Sequence, residues 1–527
     1  AQTNRFCYNE IDMKNKKLLV LFLSILALSA LLNFCNLGTI PPGLYHDVAV
    51  NGNDALDALK SGDFKLFYTQ NNGREGFFIN LIAFNFFLFG ASIFSMRMAA
   101  AIIGTLTVCG IYLLTKELFK NRIIALLSMF FLATSFWHLN FSRFGFRAIM
   151  VPFCLVFSFY FLARALKTQK LFNFILSGAF FGLGFHTYIS FRMAILILIV
   201  PIFFACKNFY KDWKDSKNFW GTYIKKNYFK MDIWLLAIFL VALPIGIYFL
   251  QNPQDFLSRA SGVSVFAQQN PITAFFESAI RHLGMFNFHG DYNWRHNLAG
   301  SPMLPWPLGI LFLVGFIVSL KEIIMSIKNK NAGEKSNYWL IVVWFFVMLL
   351  PGVLTYEGVP HALRVIGVIP PVYIFSGIGA FWAFEKSKPF FTNKKLYLVL
   401  SILLVLSIGY RDVHKYFIDW AKNPETVNAF SQYFVDIGNY LNTVPDDVKK
   451  YVIKNEETQT PIFLERAKYG EIRSLYIEEE LLTKLAPLNN SVIVPIKNDD
   501  KLFEKLQNIF PNGKKIQDQK VWIFKIN

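Results

Sequence analysis

The chain has 527 residues, 54% of them apolar and 17% charged, with 58 phenylalanines and a formal net charge of +18. A soluble domain carries about 25% charged residues, and the apolar residues here gather in runs near the roughly 20 residues that cross a bilayer. These numbers exclude a soluble enzyme, a disordered chain and a secreted disulfide scaffold. They also make loop orientation, rather than nucleic-acid binding, the first account of the positive charge.

Met13-Lys14-Asn15-Lys16-Lys17 ahead of an apolar run reads like a natural start, so residues 1–12 are expected to be a tag, leader or extension. The run 18–36 lacks a small-x-small cleavage site, and Leu32-Asn33-Phe34 before Cys35 is not a lipidation box. It reads as an uncleaved first span. Further spans are expected at roughly 98–115, 123–138, 148–165, 172–189, 191–206, 232–250, 305–325, 338–354, 364–384 and 396–410, about eleven in all. Each must be helical, because lipid cannot satisfy free backbone groups. The apolar run 77–90 is only 14 residues long, which suits a re-entrant or interfacial segment.

Charge decides how that run is treated. If it does not cross, the basic loops fall on one side, with +16 inside and +2 outside over residues 1–410. The positive-inside rule selects this arrangement and a cytoplasmic N-terminus in the inner membrane. The outer face then holds nine Arg and only two Lys, and orientation does not require those arginines. The tail 411–527 carries 17 basic and 17 acidic residues. Its short apolar runs (450–454, 461–466, 491–496, 521–526) alternate with helix-like stretches such as Asp500–Ile509, which predicts a small extracytoplasmic α/β domain. The expected division is a transmembrane domain over 13–410, with a first outer loop at 37–97, and a soluble domain over 411–527. The five cysteines are scattered, with no metal-ligand spacing.

Candidate site residues lie in the outer loops. Asp47 follows Pro41-Pro42-Gly43-Leu44-Tyr45-His46 just beyond the first span. It can serve as a general base for an acceptor hydroxyl or as a helix N-cap. Asp54, Asp57 and Asp63 read as the wet face of a helix lying on the membrane. Arg74, ahead of the short apolar run, can hold a phosphate in its planar fork or form a surface pair with Glu75. Arg143 and Arg147 lie four apart, a spacing that shares one helix face, and an anion between them would relieve their repulsion. His186 reads as a satisfied intramembrane histidine, whereas Tyr188 and Arg192 face outward.

The segment 288–297 packs His289, Asp291, Tyr292, Trp294, Arg295 and His296 together. Aromatic faces with convergent polar groups suit a sugar site; His289, Asp291 and His296 can alternatively bind a metal, although loop spacing makes that a weak signal. His361 and Arg364 open the tenth expected span, where ionisable groups are costly and default to functional candidates.

Several motifs, taken in order, resemble a known family. They are the early Asp47, Gly73-Arg74-Glu75-Gly76-Phe77-Phe78, Met96-Arg97-Met98-Ala99-Ala100, Ile111-Tyr112, Lys116-Glu117-Leu118-Phe119, and Arg364 followed by Ile369-Pro370-Pro371. Across roughly 13–410 the chain resembles the GT-C superfamily of polytopic glycosyltransferases. It is most similar to the bacterial branch of the dolichyl-phosphate-mannose protein mannosyltransferases, which includes the lipid A aminoarabinose transferases.

The resemblance implies a GT-C-like helical membrane fold and transfer of a sugar from a polyprenyl-phosphate donor to a protein, lipid or cell-envelope glycan. It maps the general base onto Asp47. Many members carry an Asp-Glu pair there, but this chain has Val48 in the second position. The aminoarabinose transferases have an acid in the second outer loop, where this chain offers Arg143 and Arg147. Arg74 sits where relatives place a basic or His-Pro-Pro element, and Arg97 joins the arginines expected at the donor phosphate.

Fixed guanidinium groups beside a leaving phosphate would lower the barrier, and in-line attack would invert the anomeric carbon. No nucleotide cofactor is required; no metal is indicated, although a divalent cation is compatible with the fold. The expected partners are the lipid-linked donor, membrane lipid and an acceptor, without nucleic acid. The competing reading, a lipid or lipid-linked sugar flippase, predicts inverted repeats and midplane charges, neither of which the sequence displays.

Overall fold

The structure, a computed structural model, describes residues 2–256, 262–329, 332–454, 458–485 and 488–527, with side-chain surroundings from residue 16 onward except at 332 and 334. The expected extension, 1–12, lies outside the residues whose side chains are described. The chain forms two compact units. One comprises Ala1–Cys35, Leu66–Phe77 and Ala100–Trp420, the other Asn36–Lys65, Phe78–Ala99 and Ala421–Asn527.

The first unit is helical. The chain has nine described helices long and apolar enough to cross a membrane, and ten if one bent pair counts as a single span. The pair is Arg122–Thr134 and Phe136–Phe144, which meet at 56°. Ser135 makes the break: its backbone is extended and its side chain accepts from the His138 amide, capping the second helix.

About eleven spans were expected. The segment expected to span at 172–189 is instead a 14-residue helix, Leu171–Gly184, followed by a turn and the 3-10 helix Ile189–Leu198. The 77–90 run forms the 13-residue helix Phe77–Phe89, about 20 Å long at 1.5 Å per residue and too short to cross. The stretch 139–147, between the spans expected at 123–138 and 148–165, is largely helix, because Phe136–Phe144 runs through it.

Burial separates lipid-facing helices from central ones. Only 17% of the apolar window in Phe229–Gln251 is covered, against 78% in Ile366–Phe390. Helix Trp306–Lys328 lies directly against Ile369–Ser387, where a Cβ on Gly315 would meet the Phe375 carbonyl and one on Gly379 the Leu311 carbonyl. Small residues permit this backbone approach, and dispersion between close backbones is what lipid cannot replace.

In the second unit, residues 421–527 build a five-stranded mixed sheet. In chain order the sheet strands are β1 (Lys449–Ile453), β2 (Leu475–Ile477), β3 (Ser491–Pro495), β4 (Gly513–Asp518) and β5 (Val521–Ile526). Their spatial order is β2-β1-β3-β5-β4, with β1 parallel to both neighbours and β5 antiparallel to both of its own. Alternation puts Val452, Val494, Val521 and Ile523 against Phe434, Ile437 and Leu441 on one face. Tyr451, Ile493 and Phe524 meet Phe503 and Leu506 on the other.

Three of the four expected strands and the Asp500–Ile509 helix are present. The exception, 461–466, lies in the helix Gln459–Tyr469. Pro461 falls in its first turn, where a missing amide costs nothing.

Candidate functional site

Asp47 belongs to the second unit. It lies in the first turn of the helix His46–Ser61, where acids are favoured, and is half-buried. The N-cap position belongs to Tyr45, so Asp47 is not the capping residue. Of the acids expected on a wet face, Asp57 and Asp63 are exposed; Asp54 is buried, a correction that follows from the packing of this helix against Gln459–Tyr469.

Arg97, also in this unit, is 1% exposed. Its Nη1 donates to the carbonyls of Leu37 at 3.1 Å and Pro41 at 2.9 Å, and its Nη2 to that of Gly43 at 2.6 Å. These three bonds hold the loop ahead of Asp47.

The first unit gathers most of the other candidates. At its centre Asp291, 2% exposed, accepts from three neighbours. Oδ1 takes the Asn293 amide at 2.7 Å, and Oδ2 takes the Ala362 amide at 2.7 Å and His296 Nδ1 at 2.9 Å. His296 thereby presents Nε2 as the second nitrogen of a His–Asp pair, the geometry that moves protons in acid–base sites. The His361 ring lies 4.8 Å from that of His296, and its Nδ1 is 4.0 Å from Asp291 Oδ2. Burial pushes His361 well below the usual imidazole range, helped by His296, Arg364, His282 and Arg295.

His282 was missed in the sequence. Fully buried, it donates from Nδ1 to the Ser278 carbonyl at 2.8 Å and accepts the His361 amide on Nε2 at 3.1 Å. Burial lowers it to about 4, so the neutral tautomer holds the His361 backbone. Its only sequence signal was a histidine between the spans expected at 232–250 and 305–325.

The 291–302 loop is braced from three sides. Asn140 donates to the Arg295 carbonyl at 2.8 Å, Trp420 to the Trp294 carbonyl at 2.7 Å, and Lys415 to Asn297 Oδ1 at 3.4 Å. Arg295 itself turns back onto Asn293. Arg364 donates to Thr355 and to the carbonyl and carboxylate of Glu357. It precedes the helix rather than sharing a helical face with His361, since the chain is helical only from Ile366. His289 is exposed and stands outside this cluster.

A second group forms around Glu75. Arg147 donates from Nε to Glu75 Oε2 at 2.9 Å and lies 5.3 Å over the Tyr188 ring. Arg192 donates to the Phe256 carbonyl and lies 4.1 Å over that residue's ring. Arg74 and Glu75 are both buried, not a surface pair, and Arg74 Nε donates to the Gln70 carbonyl.

Arg143 and Arg147 do not share a helix face. Helix Phe136–Phe144 ends at Gly145, whose φ of 91° takes the chain out of the helix before Arg147. Arg143 instead donates to the Leu32 and Cys35 carbonyls, groups left open at the end of helix Gln2–Phe34.

Asp291, His296 and His361 each offer one ligand atom, all within 4.8 Å of one another, and form the one such metal-competent trio among the described residues. His361, not His289, is its third member. As found, Oδ2 is filled by His296 and an amide, and the charges of Arg295 and Arg364 reach His361.

Residues 77–225 match the sequence profile of the dolichyl-phosphate-mannose-protein mannosyltransferase family. None of the curated proteins matches the chain significantly. Among solved structures, ArnT from Cupriavidus metallidurans bound to undecaprenyl phosphate aligns with 96% of this chain and 97% of its own, at 11% identity and a TM-score of 0.53. The two folds are alike over nearly the whole of both chains. The likeness extends to apo ArnT, with 97% and 98% coverage, 10% identity and a TM-score of 0.53. It also includes AglB from Archaeoglobus fulgidus with an inhibitory peptide and a dolichol-phosphate, with 92% and 69% coverage, 13% identity and a TM-score of 0.51. With nine to ten such helices among the described residues, the chain is a multi-pass membrane protein.

Proposed function

We propose that this protein is a glycosyltransferase that moves a sugar from a polyprenyl-phosphate donor to a protein, lipid or envelope-glycan acceptor at the outer face of the inner membrane, with its N-terminus cytoplasmic and residues 411–527 outside. The observation that supports it most is the near full-length fold match to ArnT holding undecaprenyl phosphate, joined to a family match over 77–225.

In this reading Asp47 takes the proton of the acceptor hydroxyl as the acceptor oxygen bonds to the anomeric carbon. The bond from that carbon to the phosphate oxygen breaks in line, the configuration inverts, and polyprenyl phosphate leaves with the electron pair. Arginines beside the departing phosphate meet its growing charge. Arg147 suits this task best: its described protein partners are Glu75, through Nε, and the Tyr188 ring. Arg192 and Arg74 are the next candidates for it, and the Asp291–His296–His361 group is a polar surface for the sugar or phosphate. The donor already carries the energy of transfer, so the reaction needs no nucleotide.

The test is transfer of radiolabel from polyprenyl-phosphate sugars to membrane extracts, with product isolation. Asp47→Asn should lose transfer by about 10²–10⁴-fold, the usual contribution of a general base, while still binding donor. Full transfer by Asp47→Asn would show that another group is the base.

A further inference from the structure

The C-terminal region has no role in the chemistry above, yet its residues hold the two sides of the helix that carries Asp47. The chain reaches that helix through Gly43 and Leu44. The Gly43 amide donates to Gln432 Oε1 at 2.7 Å, and the Thr460 hydroxyl donates to the Leu44 carbonyl at 2.9 Å. Gly43 has φ +68°, and a Cβ there would lie 2.8 Å from the Gln432 nitrogen, so only glycine permits the approach. Beyond Asp47 the helix is held again. Asn53 Nδ2 donates to the Gln459 carbonyl and to its Oε1, both at 3.0 Å, and Arg466 Nη1 donates to Asn53 Oδ1 at 3.2 Å. Arg466 also pairs with Asp57, and a Cβ on Gly52 would lie 2.9 Å from the Phe463 ring. Gln459, Phe463 and Arg466 recur at i, i+4 and i+7, one stripe of the helix Gln459–Tyr469.

We propose that this stripe, with Thr460 and Gln432, positions Asp47: the C-terminal region is a clamp on the catalytic loop rather than an accessory. The proposal rests on the general-base reading of Asp47. The physical reason is that a two-residue bridge, Tyr45-His46, separates the clamped Leu44 from the carboxylate. Releasing Leu44 lets the first helical turn, which carries Asp47, fray. A misplacement of about 1 Å at a reacting group can cost on the order of 10²-fold in rate.

Thr460→Val keeps the shape and removes the donor; Thr460→Ser restores it. Thr460→Val should lower kcat roughly tenfold with donor KM unchanged, and Thr460→Ser should recover most of it. Hydrogen exchange at residues 44–51 should quicken in Thr460→Val while the amides of β1 and β3 keep wild-type protection, which separates a freed loop from an unfolded domain. Wild-type exchange at 44–51 and wild-type kcat in Thr460→Val would overturn the clamp, as would a loss of kcat that serine does not restore. Asp47→Asn is run beside them. Full transfer there would end the general-base assignment, and exchange at 44–51 would still decide whether Thr460 holds the loop.

Discussion

Replacing Arg97 with methionine separates two readings of an arginine that sequence motifs place at the donor phosphate. The guanidinium is 1% exposed and makes three hydrogen bonds to carbonyls, at 3.1, 2.9 and 2.6 Å. Bonds from a charged donor contribute about 1.5–3 kcal/mol each, so the gross loss is on the order of 4–9 kcal/mol. Removing the buried charge refunds much of its desolvation, which leaves a net destabilisation of the 37–43 loop of about 2–4 kcal/mol. At about 1.4 kcal/mol per tenfold, amide exchange across 37–47 should quicken by roughly 30-fold to several hundred-fold. Arg97→Lys, a point charge without the fork, should fall between wild type and methionine. The assay is hydrogen exchange with mass spectrometry on the purified protein, paired with donor binding. Unchanged exchange at 37–47 together with weakened donor binding would refute the structural role and return Arg97 to the phosphate.

Three further outcomes follow from the site. Glu75→Leu leaves the partly buried Arg147 charge without its carboxylate and should cost up to about 3 kcal/mol, the low end for breaking a buried pair, read as a lowered Tm; adding Arg147→Met should recover part of it, because the two residues interact directly. His282 is held at about 4 by burial against an ordinary 6.5, so the unfolded chain binds the extra proton between those values. Stability should therefore fall as pH drops from 6.5 toward 4 and change no further below that, and His282→Asn should flatten this slope in melts taken across that window. Protein stripped with EDTA should keep full transfer activity. A loss restored by zinc or manganese in wild type but not in His296→Ala would instead place a cation on Asp291, His296 and His361.

Within the candidate site, residue type and loop membership were legible in sequence, while side-chain commitments were not. Asp291, His296 and His361 could be singled out because ionisable groups at a membrane surface are costly and rarely idle. That His361 joins the trio and His289 does not depends on how two loops, far apart in sequence, fold back on each other. Arg143 and Arg147 looked paired because four-residue spacing shares a helix face, but Gly145 ends the helix between them. Arg97 and Arg143 looked like anion ligands because a sequence does not show which carbonyls a bend or a helix end leaves open. Asp54 reads as solvated by composition, yet it is buried because another helix covers its face.

The sequence by itself determined that the chain is a helical membrane protein with a small α/β tail. Hydrophobic run length is set by bilayer thickness and strand alternation by local geometry, and both are written residue by residue. It also marked Phe77–Phe89 as too short to cross. What only the tertiary structure decided is the company each segment keeps. Residues Asn36–Lys65 and Phe78–Ala99, nearly all of them in the expected first outer loop, pack in one unit with Ala421–Asn527. The bonds that join them, Gly43 to Gln432 and Thr460 to Leu44, cross almost 400 residues or more of sequence. No local pattern encodes such pairings. They exist because buried carbonyls and amides must find partners, and the partners available are fixed by the fold.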